Sequence, residues 1–231
     1  MIPPLHSWNV SSKEAIIIQK KLRSQVQIVP YRDTVRYIGG ADISFNQGAD
    51  TLYAGIILLD YDQLTPVAHS LVQVKAQFPY VPGLLSFREI PALMKAWEQL
   101  ELYPEVVMLD GHGIAHPRRL GVASHFGLWV GKPTLGCAKK LLIGLHECLE
   151  DQALSAKRLY DQEDIIGFAL RSRTRIKPVY ISPGHLLDQE AALAISRHCV
   201  AGYRIPEPTR QAHLLVNKLR RGEVETGFYT Y

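Results

Sequence analysis

Residues 35–78 read VRYIGGADISFNQGADTLYAGIILLDYDQLTPVAHSLVQVKAQF. The stretch contains three runs that favour β-strands, separated only by NQGAD and the short DQL. Spacing this tight between strand-like runs is typical of an antiparallel meander. We therefore predict three consecutive strands that pair side by side.

The rest of the chain indicates helices and short strands that follow this meander. Helical spacing covers 13–26 and 87–102, an apolar strand covers 105–110, further strands lie near 133–138, 165–170 and 177–182, and late helices lie near 188–200 and 207–221. A meander followed by alternating helices and strands predicts an α/β fold, with a mixed sheet flanked by helices. The ribonuclease-H-like arrangement has this order, although the pattern alone leaves several α/β folds open.

Length and composition are those of a soluble globular protein. The 231 residues suit one domain spanning 1–231, and 47% hydrophobic with 21% charged residues argues against disorder. The net charge of +4 permits a polyanionic partner without requiring one. Three cysteines without metal-type spacing favour a reducing compartment, and no segment resembles a signal peptide or is long enough to span a bilayer. We therefore expect a cytoplasmic protein without a membrane partner.

Three carboxylates are candidates for a shared metal site. Asp42 lies near the end of the first strand, Asp110 ends the apolar run VVMLD, and Glu89 begins the helix between them. The first and fourth strands can be neighbours, and Glu89 lies at the edge of the helix face that packs on the sheet. Three close carboxylates stay ionised cheaply only beside a cation, and Mg²⁺ or Mn²⁺ accepts such ligands. Metals held this way polarise a phosphodiester and activate water for in-line attack.

Each acid also has a structural interpretation. Ser86 and Glu89 match a capping box, although Pro91 fits a helix start better than a helix interior. Asp42 could simply end a strand, and Asp110 could begin a turn. Any one of them alone is more often structural than catalytic, so only their combination indicates a site.

Residues 108–127 read MLDGHGIAHPRRLGVASHFG and follow the predicted central strand. This density of glycine indicates close approach to the backbone, and Arg118 with Arg119 indicates that the approaching group carries negative charge. His112 and His116 flank the carboxyl end of the strand. Either could contact phosphate or satisfy a buried carbonyl, and the following Pro117 favours His116.

Five strings together resemble the endonuclease V family: GGADISF, PYVPGLLSFREIPAL, DGHGIAHPRRLGVASHFGL, PTLGCAKK and GYRIPEPTRQAH. The resemblance implies a ribonuclease-H-like fold, a monomer, and Mg²⁺ with Mn²⁺ as a substitute. It also implies incision of DNA at the second phosphodiester bond 3′ to deoxyinosine, leaving 3′-hydroxyl and 5′-phosphate ends. Related enzymes act on inosine in RNA, so an inosine-containing RNA substrate stays open.

The resemblance assigns catalytic roles by position. Asp42, Glu89 and Asp110 match the family's acidic metal-site residues. Lys139 matches a catalytic lysine, whose charge could hold the scissile phosphate or orient the attacking water. His213 matches a histidine near the metal, although a lone helical histidine is more often a packed or surface residue.

The resemblance also predicts how DNA is held. Tyr80 matches a wedge that parts the strands, and could equally be an aromatic packed over the core. DNA contacts are expected from Tyr80, His116, Arg118 and Arg119. The extruded base is expected to meet Gly83, Leu85, Gly111, Gly113, Gly121, Val122 and Gly136. Hypoxanthine offers an acceptor at O6 and a donor at N1, which backbone groups could read without a dedicated side chain.

Further basic residues could line a surface for the DNA backbone. The run RSRTRIK, 171–177, places cations on one face of a predicted strand, which suits a phosphate track but also protects a strand edge from aggregation. Arg204, Arg210, Lys218, Arg220 and Arg221 could extend this surface.

Three other functions compete with incision at deoxyinosine in DNA. The first is a related metal nuclease that acts on RNA or branched DNA. The second is a module that binds modified bases without cutting, although such a module predicts disrupted acids. The third is a glycosylase, which would release free base without a divalent metal.

Overall fold

The computed structural model describes residues 4–231 and contains five α-helices and nine strands within them. The helices are α1 (Ser12–Leu22), α2 (Leu85–Glu98), α3 (Val122–Val130), α4 (Gln189–His198) and α5 (Glu207–Arg220). The strands are β1 (Tyr37–Phe45), β2 (Thr51–Asp60), β3 (Pro66–Lys75), β4 (Val106–Leu109), β5 (Thr134–Ala138), β6 (Ala156–Asp161), β7 (Asp164–Leu170), β8 (Val179–His185) and β9 (Gly227–Thr230).

All nine strands belong to one mixed sheet with the order β6-β7-β8-β5-β4-β1-β2-β3-β9. The predicted meander is confirmed, because β1 pairs antiparallel with β2, and β2 pairs antiparallel with β3. The short apolar strand β4 lies between β1 and β5 and runs parallel to both. The prediction that the first and fourth strands are neighbours is therefore also confirmed.

Helices cover both faces of the sheet. Ile56 and Leu58 of β2 pack with α2 and α3, while Ile57 and Leu59 pack on the opposite face with α4 and α5. All four side chains are buried. A strand buried on both faces reads as a continuous apolar run, which is why GIILL does not alternate.

Helix α5 crosses β1 at very short range. A Cβ atom added at Gly40 would lie 1.9 Å from the carbonyl oxygen of Pro208, in the first turn of α5. Only glycine permits this approach. The contact sets the height at which the next turns of α5 lie over the sheet.

Several predicted features need correction. The basic run 171–177 is a turn after β7, not a strand, so its cations do not share a strand face. Helix α3 lies within the glycine-rich segment, for which no helix is predicted from the sequence. The edge strands β6 and β9 were also missed because both are short and only Leu159 among their residues is buried.

The predicted capping box is absent. Helix α2 begins at Leu85 without a capping side chain, and the Ser86 hydroxyl contacts His125 instead. Pro91 lies inside α2 rather than at its start, so its position does not mark the helix boundary. None of the helices in residues 4–231 is long and apolar enough to cross a membrane.

Candidate active site

The acids that the sequence singled out lie where β1 and β4 run side by side. Ala41 pairs with Leu109, and the amide of Asp110 donates to the carbonyl oxygen of Ala41 (3.1 Å). Asp42, inside β1, and Asp110, just after β4, therefore lie at the same level of the sheet. Each offers a carboxylate oxygen to a group of three possible metal ligands whose atoms all lie within 4.8 Å of one another.

His213 of α5 supplies the third possible ligand. Asn217, one helical turn further along, donates from Nδ2 to His213 Nε2 (3.2 Å). The ring proton is therefore on Nδ1, which donates to Oδ2 of Asp42 (2.8 Å). The close crossing of α5 over Gly40 brings this helical turn above Asp42.

Glu89 lies beside this group rather than within it. It lines a cavity of about 210 Å³ together with Asp42 and Asp110. Burial, together with the charges of Asp42 and Asp110, raises the pKa of Glu89 to about 8. Burial and the neighbouring Asp42 also raise the pKa of Asp110, against the effect of Lys139. Such unfavourable crowding of carboxylates is what a bound cation relieves.

Lys139 follows β5 and forms an ion pair with Asp110. Burial lowers the pKa of the Lys139 ammonium and Asp110 raises it, with a net rise that keeps the group charged. The neighbouring Lys140 is exposed. Arg204 donates to the backbone carbonyl of Lys139 (2.7 Å) and so holds this segment in place.

A second cavity of about 300 Å³ adjoins the acidic one and shares Glu89, Asp110 and Val122 with it. Five of the seven predicted base-pocket residues line it: Gly83, Leu85, Gly111, Gly121 and Val122. Gly113 and Gly136 do not. Their Cβ positions would meet backbone, 2.0 Å from Pro183 O and 2.4 Å from Gly111 O, so these two glycines allow the loop to pack beneath the cavity.

The carbonyl oxygen of Gly83 is held by three donors. Gln19 Nε2 (3.0 Å), His116 Nε2 (3.1 Å) and Arg118 Nη2 (2.7 Å) all donate to it. Arg118 also donates to the Gln19 side chain. His116 and Arg118, which the sequence predicts to contact DNA, thus use these donors to hold the cavity wall.

Exposed side chains stand at the mouth of this cavity. Tyr80 is 59% exposed, so it is not packed over the core. Its ring is tilted relative to that of Phe45, with 6.2 Å between the two centroids. Leu142, 45% exposed, lines the same cavity. The placement suits the predicted wedge.

Most of the other predicted cations make contacts within the protein. Arg119 forms ion pairs with Asp161 (2.7 Å) and Asp164 (3.1 Å) on the β6–β7 hairpin. Arg171 donates to three backbone carbonyls, including that of Ile176 (2.6 Å). Arg173, Arg175 and Lys177 are exposed, whereas Arg210, Arg220 and Arg221 bond to neighbouring side chains.

Sequence reasoning missed several residues of the cavity wall. Gln19, Ser86 and Leu142 line it, and His125 lies behind Ser86. One signal was available for Gln19, because it occupies the apolar face of α1 with Ala15 and is buried there. No local pattern distinguished Ser86 from an ordinary helical serine.

A mixed α/β sheet with clustered carboxylates, a histidine and a lysine at its central strands defines a metal-dependent nuclease. The endonuclease V sequence profile matches residues 20–214. The chain is 46% identical over 224 residues to the endonuclease V of Myxococcus xanthus, with 96% of this chain and 95% of that protein covered. The chain therefore belongs to the endonuclease V family.

Solved structures agree with this membership. The endonuclease V of Streptomyces avermitilis superposes with a TM-score of 0.88 at 36% identity, covering 94% of this chain and 97% of that one. A Ciona intestinalis endonuclease V (TM-score 0.82, 26% identity, 93% and 100% covered) was solved in complex with DNA containing an inosine followed by a ribo-adenosine. These structures confirm the predicted ribonuclease-H-like fold.

Proposed function

We propose that this protein nicks DNA at the second phosphodiester bond 3′ to deoxyinosine and other deaminated bases, leaving 3′-hydroxyl and 5′-phosphate ends. The observation that carries the proposal is the wall of Glu89 and Asp110 shared by the two cavities. A base extruded into the larger cavity brings its own backbone to the acidic one. The inosine-containing DNA bound by the Ciona relative supports this substrate.

Mg²⁺ is the proposed cofactor, with Mn²⁺ able to replace it. The carboxylates of Asp42 and Asp110, which offer oxygens within 4.8 Å of each other, would hold a hard divalent cation, and the Nδ1–H of His213 would keep the Asp42 carboxylate in place. When bound, such an ion offsets charge on the scissile phosphate and makes water a better nucleophile. Glu89 adds a carboxylate from the adjoining wall.

The remaining side chains position the substrate. Lys139 holds a positive charge beside Asp110, where it orients the attacking water or binds a phosphate oxygen. Tyr80 enters the base stack at the mouth of the cavity and fills the gap left by the extruded base. His116 and Arg118 keep Gly83 in place, so their effect on DNA is exerted through the cavity wall. We propose that the protein acts as a cytoplasmic monomer in DNA repair.

A gel assay on a duplex with one deoxyinosine tests the proposal. With Mg²⁺ we expect one nick, at the second phosphodiester bond 3′ to the lesion, and no product with EDTA. Release of free hypoxanthine would instead indicate a glycosylase. Cutting that persists in EDTA would show that the reaction needs no divalent metal. The same lesion in an RNA strand shows whether ribose is accepted, and faster cutting there than in DNA would overturn the DNA assignment.

A further inference from the structure

A chain of hydrogen bonds connects the wall of the larger cavity to the protein surface. Ser86 Oγ lies 3.0 Å from Nδ1 of His125, and His125 Nε2 lies 2.8 Å from Nε2 of His6. His6 Nδ1 lies 2.8 Å from the carbonyl oxygen of Ser7. Ser86 lines the cavity and is 3% exposed, and His125 is fully buried. We call Ser86, His125 and His6 the relay.

The Ser7 end determines the direction of every hydrogen bond in the relay. A carbonyl oxygen only accepts, so His6 carries its proton on Nδ1. Burial lowers the pKa of His6, so its ring is neutral at pH 7 and its Nε2 accepts. His125 must then donate from Nε2, and its Nδ1 is left as an acceptor. The one hydroxyl proton of Ser86 is therefore donated to His125.

The hydroxyl of Ser86 consequently shows only acceptor character to the cavity. Its bond to His125 is the sole one that it makes within residues 4–231. Gln19 and His116, which line the same cavity, are already committed, because both donate to the carbonyl of Gly83. A buried hydroxyl oxygen with unused lone pairs favours a ligand that donates a proton.

We infer that Ser86 is a specificity-determining residue whose Oγ accepts a hydrogen bond from N1–H of the extruded purine. This inference rests on the proposed function and identifies the group that reads the base. Hypoxanthine carries a proton on N1, whereas adenine presents a lone pair there, so adenine would place two acceptors against each other. Guanine also carries N1–H, so Ser86 separates deaminated from normal adenine and does not exclude guanine.

The variant Ser86→Ala tests the hydrogen bond. Affinity is measured in Ca²⁺ for duplexes with hypoxanthine, with 7-deazahypoxanthine, which keeps N1–H, and with unsubstituted purine, which lacks it. We expect about tenfold weaker binding of the first two bases and less than twofold change for purine. Equal losses for all three bases would show that Ser86 only packs, and would overturn the inference.

Ser124→Ala is the matched control. Ser124 is a fully buried serine on α3 whose hydroxyl has no hydrogen-bond partner among the described residues, so its removal should leave all three affinities unchanged. Wild-type protein that fails to cut deoxyinosine DNA in Mg²⁺ would contradict the proposed function itself. If the wild type cuts normally and Ser86→Ala loses equal affinity for all three bases, only the role of Ser86 is contradicted.

His6→Phe tests the relay while leaving Ser86 intact. Phenylalanine keeps an aromatic ring beside Trp8, Phe87 and Trp129 but removes the acceptor for His125 Nε2. Ser86 can then donate as well as accept, so we expect the preference for hypoxanthine over adenine to fall about fivefold. An unchanged preference would overturn the role of His6.

Nitrogen-15 NMR of the imidazole rings measures the protonation directly, with the His125 signals identified by their loss in His125→Gln. We expect the wild-type His125 ring to carry its proton on Nε2. A proton on Nδ1 would reverse the relay, make Ser86 a donor towards the base, and overturn the inference whatever the affinities show.

Discussion

At the scale of single residues, the site brings together carboxylates whose like charges repel one another. Asp110 has Lys139 as an ion-pair partner, yet burial and Asp42 still raise its pKa. Glu89 has no such partner among residues 4–231, and its pKa rises to about 8. Removing one carboxylate should therefore reduce the repulsion among the acids and also remove a metal ligand. Activity can then be lost while the fold stays intact.

We expect Asp110→Asn to abolish cleavage of deoxyinosine DNA, by at least about 10³-fold, because the amide neither binds the metal well nor pairs with Lys139. Binding in Ca²⁺ should persist, since the base cavity keeps its shape. Single-turnover cleavage and anisotropy measure the two effects. Asp50→Asn, at an exposed acid outside the site, is the control. Mg²⁺-dependent turnover near the wild-type rate would remove Asp110 from the metal site.

Tyr80→Ala should weaken cleavage of a deoxyinosine duplex about tenfold more than cleavage of the same lesion in a single strand. A wedge acts only where bases must be parted, at a cost of a few kcal/mol. Tyr103→Ala, at another partly exposed tyrosine, should affect neither substrate. Equal losses for both substrates in Tyr80→Ala would favour a packing role.

At the scale of elements, the site depends on how α5 lies across β1. The crossing at Gly40 is closer than any residue with a Cβ atom allows, and it brings His213 to Asp42. The opposite wall depends on α1, whose Gln19 reaches the carbonyl of Gly83. Elements far apart in sequence thus meet at one pair of cavities.

Gly40→Ala should displace α5 and destabilise the protein by about 3 kcal/mol, because the new methyl group overlaps the backbone of Pro208. Urea unfolding measures this loss, and cleavage should fall as His213 leaves Asp42. Gly202→Ala is the comparison, since open space surrounds that residue and only its positive φ of 80° opposes the change, at about 1–2 kcal/mol. A Gly40→Ala protein as stable as Gly202→Ala would show that α5 adapts freely.

At the scale of the whole molecule, buried neutral histidines link stability to pH. Burial lowers the pKa of His125 well below its usual value, and that of His112 and His116 to about 4. In the unfolded chain each titrates near 6.5, so below that pH the unfolded state binds more protons. Their contribution to stability is present above pH 6.5 and is lost as the pH falls towards 4.

We expect the wild type to lose more stability between pH 7 and pH 5 than His125→Gln, which cannot titrate at that position. Glu89 acts in the opposite sense, since its raised pKa favours folding as the pH falls through 8, so the difference between the two proteins isolates His125. Urea unfolding in EDTA at both pH values gives the two slopes. Equal slopes would mean that His125 keeps an ordinary pKa.

The basic surface is another property of the whole molecule. Arg173 and Arg175 are exposed on the turn after β7, whereas Arg119 is paired with two aspartates. Neutralising Arg173 and Arg175 should reduce the log–log salt dependence of duplex binding by roughly one unit per phosphate contact. Arg119→Ala should leave the slope unchanged. A lower slope only in Arg119→Ala would place the DNA path along β6 and β7 instead.

Much of this architecture could be predicted from local sequence. The meander, the apolar β4 and the late helices have periodic patterns, and burial on both faces of the sheet makes those patterns strong. The three acids lie within β1, just after β4 and near the start of α2, so their convergence followed once β1 and β4 were taken as neighbours, whereas Lys139 was assigned by the resemblance. The edge strands β6 and β9 and the helix α3 gave weaker local signals and were missed.

Only the tertiary structure decided which polar groups are free and which are already bonded. The sequence predicts Arg118 and His116 as DNA contacts, and only the tertiary structure shows that they also hold the carbonyl of Gly83. Ser86 looks like a cap, but its hydroxyl forms a hydrogen bond with His125, 39 residues further along the chain. Hydrogen bonds between residues far apart in sequence produce no periodic sequence pattern. The packing of whole elements, rather than the neighbouring residues along the chain, determines each partner.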